Sequence, residues 1–273
     1  MENELTLRPV FARLHLGANI SKRRAQLREL RPHHLVHAKR FIDARTQFTD
    51  PALPLSESSR FQNADGDNFA VKFDIIPLPR AKSVRQVYEA ILFYLLNSEV
   101  SMAEMVGEYV LRDIDDQTGD ARFSQHRLIS STQDGTYFET NSVVYSNFEV
   151  NGKPLGQKTM IGEGLITTDF VDQDEIYPYC PDERLRKDIT SVWTVRAFES
   201  QRIDNASASQ QVEKNYRSSS DETEVVVLTI WVQSKLHRSE FDIPDATLFE
   251  VTETTNRASD AVLKAVRALL QLS

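Results

Sequence analysis

Cysteine is almost missing from this 273-residue chain: Cys180 stands alone, so no internal disulfide can form. No stretch approaches the ~18 uninterrupted apolar residues of a membrane span. The opening Met1-Glu2-Asn3-Glu4 carries acids where a secretory leader carries bases. These absences point to an intracellular protein, cytoplasmic or nuclear, without a transmembrane segment. Catalytic signatures are missing too. No nucleophile-elbow sequence presents a serine. Gly162-Glu163-Gly164 lacks the third glycine and the strand–turn–helix setting of a dinucleotide loop, and its glycines fit a bulge or bend in a long strand. Asp172, Asp174 and Glu175 lack the twelve-residue frame of a calcium loop and fit a solvated turn. His33, His34 and His37 have no cysteine or acid to complete a zinc set. The sequence therefore offers no catalytic residue, no metal site and no cofactor motif, and it contains no internal repeat.

What is present is an ordinary globular composition, with 40% hydrophobic and 26% charged residues, enough apolar material for a sizeable core. The net charge of −8 is unevenly spread. Residues 1–45 hold ten Lys/Arg against four Asp/Glu, a net of +6, while the remainder carries −14. An acidic body repels nucleic acid and anionic membranes, whereas a basic head attracts them. Residues 1–48 form a basic, helix-prone segment in which Pro32 ends the densest run and Leu35, Ala38, Phe41 and Ile42 recur at helical spacing. It is either an arm that contacts nucleic acid, lipid or a partner protein, or a solvated helix that props the domain. Residues 49–68, with Asp50-Pro51, Pro54 and Asp65-Gly66-Asp67, have the chemistry of a linker.

The domain proper then runs from 69 to 273. Phe69, Val71, Phe73 and Ile75 alternate with polar residues, predicting a strand over 69–77. Ser83 caps a helix over 83–97 whose Val84, Val87, Tyr88, Ile91, Leu92, Leu95 and Leu96 fill one face. Met102 and Met105 suggest a short further helix. Strands are expected at 107–115, 121–132, 136–150, 157–171, 188–201 and 223–236, with Asp134-Gly135 and Asn151-Gly152 as antiparallel turns. Such long strands twist and coil, which bends the sheet. A closing helix over 256–272 shows an apolar stripe of Ala258, Val262, Ala265, Val266 and Leu269.

Strand, helix pair, six strands, long helix: this order resembles the α+β helix-grip arrangement of steroidogenic-acute-regulatory-type lipid-transfer (START) domains and the birch-pollen-allergen class. The implied fold is a curved antiparallel sheet of about seven strands around a long C-terminal helix. More narrowly, Arg127-Leu128, Asn141-Ser142-Val143-Val144, Asp169-Phe170-Val171-Asp172 and Tyr177-Pro178-Tyr179 with Arg184-Leu185-Arg186-Lys187-Asp188 resemble a START-like family abundant in oomycetes. The resemblance implies a lipid or other hydrophobic small molecule enclosed between sheet and helix. Alternatives are a regulatory module acting through residues 1–48 and a cyclase-like or hydrolase-like enzyme on the same fold.

Candidate pocket residues follow from strand positions. Trp193 and Trp231 lie in strands that are candidates for neighbours; as rings they line a pocket or simply fill the core. Arg127 and Arg196 hold a ligand's anionic group if they face inward and are surface charges if they face outward. Phe138 and Val144 share a strand face with Thr140, Ser142 and Ser146, while Ile189, Ser191, Trp193, Val195 and Ala197 share another. Large rings alternating with small hydroxyls suit a lined pocket, and equally a sheet face toward water. No pattern fixes an oligomeric state.

Overall fold

The periodicities of the sequence become a three-layer α/β/α packing in a computed structural model that describes residues 13–81, 83–97, 110–114, 122–150, 153–155, 158–199 and 224–272. The strands are β1 (His15–Leu16), β2 (Leu55–Gln62), β3 (Asn68–Leu78), β4 (Val110–Ile114), β5 (Phe123–Ser131), β6 (Tyr137–Glu149), β7 (Lys153–Leu155), β8 (Lys158–Phe170), β9 (Gln173–Asp174), β10 (Leu185–Glu199) and β11 (Glu224–Leu236). The helices are α1 (Ile20–Thr46), α2 (Val84–Leu96) and α3 (Asp245–Leu272). The main sheet runs β2-β3-β11-β10-β8-β6-β5-β4, with β7 on β8; the seven expected strands are all in it, and among the described residues it has nine. The two additions are β2 and the short β7. The expected helix near Met102, the Asn151-Gly152 turn and the break at 202–222 lie outside the described residues.

Neighbours in the main sheet are antiparallel, apart from a short parallel contact of Leu185–Arg186 with Phe138–Glu139. The β5–β6 hairpin closes at Gly135, whose φ of 83° is a conformation glycine adopts without strain. Along β8 the pairing with β10 slips between Arg196 and Phe198, and Gly162 falls in that slip. Gly164 has a different role. A Cβ there would stand 2.5 Å from the Tyr88 ring, so its bare backbone lets α2 lie directly on the sheet.

Two cores result. One face carries α2 and α3, packed through Val87, Ile91, Val262 and Val266 onto Ile166, Trp193, Leu228 and Ile230. The other carries α1, packed through Leu27, Leu35, Ala38 and Ile42 onto Phe73, Val143, Val192 and Trp231. Residues 20–46 are thus the third layer of the fold, and α1 runs through Pro32 instead of ending there. Pro32 removes one backbone bond, a local cost; burial on both sides of it, from Arg23 and Leu27 to Ala38 and Ile42, keeps the helix continuous. Residues 49–68 likewise depart from a linker, because β2 pairs with β3 along its whole length, Leu55 opposite Ile75 to Gln62 opposite Asn68. Its side chains are almost all exposed, so the edge strand shows no apolar alternation for a reader of sequence to find.

The bases of α1 are turned to the sheet as well. Arg23 forms a bidentate pair with Asp174 at 2.7 and 2.9 Å, and Gln125 and Asn141 each donate to the same carboxylate at 2.9 Å. Arg31 donates to the Ser146 carbonyl, Lys39 to Glu163, and Arg45 pairs with Glu57. The parallel β1–β9 pair and the Leu14 N–H donated to Asp172 pin the segment ahead of α1. Asp172, Asp174 and Glu175 are therefore not a solvated turn: each accepts from residues 14–23.

Candidate functional site: the cavity beneath the C-terminal helix

The face under α3 is not completely filled. A cavity of about 130 Å³ lies between the sheet and the helices. Its wall comes from β5 (His126, Leu128, Ser130), β6 (Phe138, Thr140, Ser142, Val144), β8 (Thr168), β10 (Lys187, Ile189, Ser191, Trp193), β11 (Val232), α2 (Leu95) and α3 (Thr254 to Val262). Five adjacent strands at ~4.8 Å spacing span about 19 Å, wider than the ~10–12 Å of one helix. They line one cavity under α3 only because the sheet curves toward it. The size is close to that of an apolar cavity that admits benzene, ~150 Å³.

The cavity has a direction. On β10 the lining runs from Lys187 to Trp193, about 20 Å of strand at ~3.3 Å per residue. Near Trp193 the surroundings are apolar: Leu95, Val144, Val232 and Val262. The Trp193 indole N–H is satisfied by the Ser191 hydroxyl at 3.0 Å, leaving an apolar ring for the cavity. At the other end Phe138, Leu185, Leu236 and Val251 form a small separate core beside the space.

Lys187, 1% exposed, lies toward this end, two residues along β10 from Leu185. Its Nζ donates to the Val251 carbonyl and to Thr254 Oγ1, both at 2.6 Å and both on α3. Burial lowers its pKa to about 7, a shift that Glu253 opposes only in part. No ion pair to it is present among the described residues, so the lysine is held by two neutral acceptors and no counter-charge. Two further hydroxyls on the wall, Ser130 Oγ and Thr255 Oγ1, are buried without a hydrogen-bond partner among the described residues. Buried polar groups are ordinarily satisfied, so this end of the cavity has unused hydrogen-bonding capacity.

Of the six residues picked from sequence, Phe138, Val144 and Trp193 line the cavity together. Trp231, Arg127 and Arg196 stand elsewhere. The strands of the two tryptophans are indeed neighbours, but Trp193 pairs with Ile230, and the one-residue offset sends Trp231 to the α1 face. There it meets the Phe41 ring at 4.7 Å between centroids. Arg196, on the same face, donates to Glu163 at 2.6 Å and to Asp43 of α1 at 2.6 Å. Arg127 donates to Glu139 at 2.9 Å, with its guanidinium over the Tyr177 ring. Both arginines face away from the cavity yet are buried, because α1 and the 177–184 loop cover that side; each has found a carboxylate. Lys187 was absent from the sequence-derived set, although a signal existed: it continues the Ile189, Ser191, Trp193 face by one further alternate residue.

No family model matches this chain, and no curated protein does. Among solved structures, human STARD10 aligns at 8% identity over 83% of this chain and 79% of its own, with a TM-score of 0.37. The human StarD13 (DLC2) lipid transfer and protein localization domain aligns at 9% identity over 84% and 96%, TM-score 0.36. Ara h 8.0201 aligns at 6% identity over 75% and 99%, TM-score 0.27. At these scores nothing about function passes from them to this chain. The helix-grip arrangement is the one described above: a curved antiparallel sheet with a long C-terminal helix across it.

Proposed function

We propose that this protein binds a hydrophobic small molecule, such as a lipid, in the cavity between the sheet and α3. The observation that carries the reading is the cavity itself, a space in which Trp193, Val144 and Val262 alternate with serine and threonine hydroxyls and which also holds Lys187. Ligand sites are commonly concave, mostly apolar and equipped with a few placed polar groups. The START-like resemblance of the sequence agrees with this reading. A drug-sized guest needs ~300–1,000 Å³, so anything larger than a single ring requires α3 to move outward. The side-chain pairs that tie α3 to the sheet edge are Lys72–Asp260 and Arg60–Glu253.

Binding without chemistry is favoured over a cyclase-like or hydrolase-like role, because the lining holds one histidine and one lysine and no carboxylate among the described residues. A nucleic-acid role for residues 1–48 loses its main support, since Arg23, Arg31, Lys39 and Arg45 are engaged within the fold. No helix among the described residues is long and apolar enough to cross a membrane.

An uncharged apolar fluorophore titrated into the protein tests the reading. Saturable one-to-one binding is expected, with a change in tryptophan emission that disappears in Trp193→Phe. Filling the cavity with Ala258→Phe should weaken binding at least tenfold. Absence of saturable binding across a panel of apolar compounds would refute the proposal.

A further inference from the structure

Lys187 poses a question that apolar binding alone leaves unanswered. A cavity meant only for hydrocarbon gains nothing from an amine, because burying a charge without a partner costs several kcal/mol. The lysine is nevertheless part of the wall, with two of its three ammonium protons donated to Val251 and Thr254. The third has no acceptor among the described residues. The charged groups nearest to it are few. From α3 comes Glu253, beyond ion-pair distance of Nζ and already engaged by Arg60. From β5 comes His126, on the same wall.

The two unsatisfied hydroxyls belong to the same wall as this amine. Thr255 follows Thr254, which is bonded to Nζ. Ser130 pairs with Phe138, and Phe138 with Leu185, so it stands two strands, ~10 Å, across the wall from the start of β10. Ser130 and Thr255 are 2% and 7% exposed, and both line the cavity. Among the described residues, the third ammonium proton of Lys187 and the hydroxyl of Thr255, the residue after Thr254, are donors available to an oxygen anion. With Lys187 the one lysine or arginine in the lining among the described residues, one negative charge is balanced and a second is not.

We propose that the guest is an amphiphile with one carboxylate head, seated on Lys187 and Thr255 while its apolar tail runs toward Trp193 and Val262. This rests on the cavity being a site for apolar ligands and adds the chemistry of its head group. The carboxylate supplies the missing counter-charge, so binding draws a proton onto Lys187 wherever the empty protein holds the amine neutral. A charge-assisted bond of this kind in a dry site is worth roughly 10–100-fold in affinity.

The test compares a medium-chain fatty acid with its methyl ester by calorimetry in buffers of different ionisation heat. The acid should bind at least tenfold more tightly than the ester at pH 7, take up close to one proton per guest at pH 8.5, and weaken between pH 7 and 9 while the ester does not. In Lys187→Met, which keeps the length and removes the charge, acid and ester should bind alike, near the ester's affinity for the unaltered protein. An alkyl phosphate monoester of the same length should bind less tightly than the acid; tighter binding would overturn the choice of carboxylate. Equal binding of acid and ester to the unaltered protein overturns the head-group proposal and leaves the cavity reading intact, whereas failure of both overturns the cavity reading as well. Should Lys187→Met fail to fold, the acid-to-ester ratio and its pH slope in the unaltered chain decide by themselves.

Discussion

At the scale of single residues, the sheet sorts side chains by parity, and most of what is surprising follows from a shift of one position. Trp193 faces the cavity and Trp231 the opposite core because the register pairs Trp193 with Ile230. The alternation within each strand was legible, but the register between strands was not, since it depends on partners far apart in sequence. His34 is a second residue whose role no local pattern announces. It is buried on the inner face of α1 against the Tyr145 ring at 4.7 Å, and burial, with His33 and His37 adding to it, lowers its pKa to about 4. The unfolded chain therefore takes up a proton between pH 6.5 and 4 that the folded chain refuses, so stability falls as pH drops through that window. The loss amounts to as much as about 3 kcal/mol. Urea midpoints at pH 7 and pH 4.5 should diverge in the natural protein and converge in His34→Phe. Gly164→Ala should cost about 1–3 kcal/mol by driving a methyl into the Tyr88 ring. Tyr88→Leu in the same chain should relieve part of it, a non-additivity that a double-mutant cycle of urea midpoints would detect.

At the scale of elements, the segments with strong local signals were found within a few residues. The seven apolar positions of α2 predict 83–97 and the helix spans Val84–Leu96, while β5, β6, β8 and β11 fall inside their expected ranges. The exceptions share a cause. α1 is polar on average and contains Pro32, and β2 is an exposed edge, so neither carries a periodic pattern strong enough to reveal a tertiary role. α3 begins at Asp245, well before the expected 256, because Val251 and Thr252 are buried although the stretch lacks a regular apolar stripe. The role of α1 makes a prediction at this scale. Arg23 and Asp174 are buried at its foot, and breaking such a pair leaves an uncompensated charge at a cost of about 3–5 kcal/mol. Asp174→Ala should lower the unfolding midpoint accordingly. A chain that begins at residue 49 should lose cooperative unfolding altogether, seen as loss of near-ultraviolet circular dichroism, because the face holding Phe73, Val143 and Trp231 would lie bare. A truncated chain that unfolds as sharply as the full one would show that α1 is dispensable.

At the scale of the whole molecule, the sheet is sealed by α1 on one side and left incompletely filled under α3 on the other. This asymmetry separates a filled face from one that holds a cavity. Composition cannot disclose it, because the same alternation of rings and hydroxyls serves a pocket wall or a solvated surface. Which face is enclosed is decided by the helices that come to rest on it. Diffraction from crystals held under xenon pressure tests the apolar space beneath α3 most directly, since xenon enters dry apolar cavities without needing a polar contact. A bound xenon bounded by Val144, Trp193 and Val262 is the result this account predicts. Side chains closing that volume, with no xenon beneath α3, would contradict it.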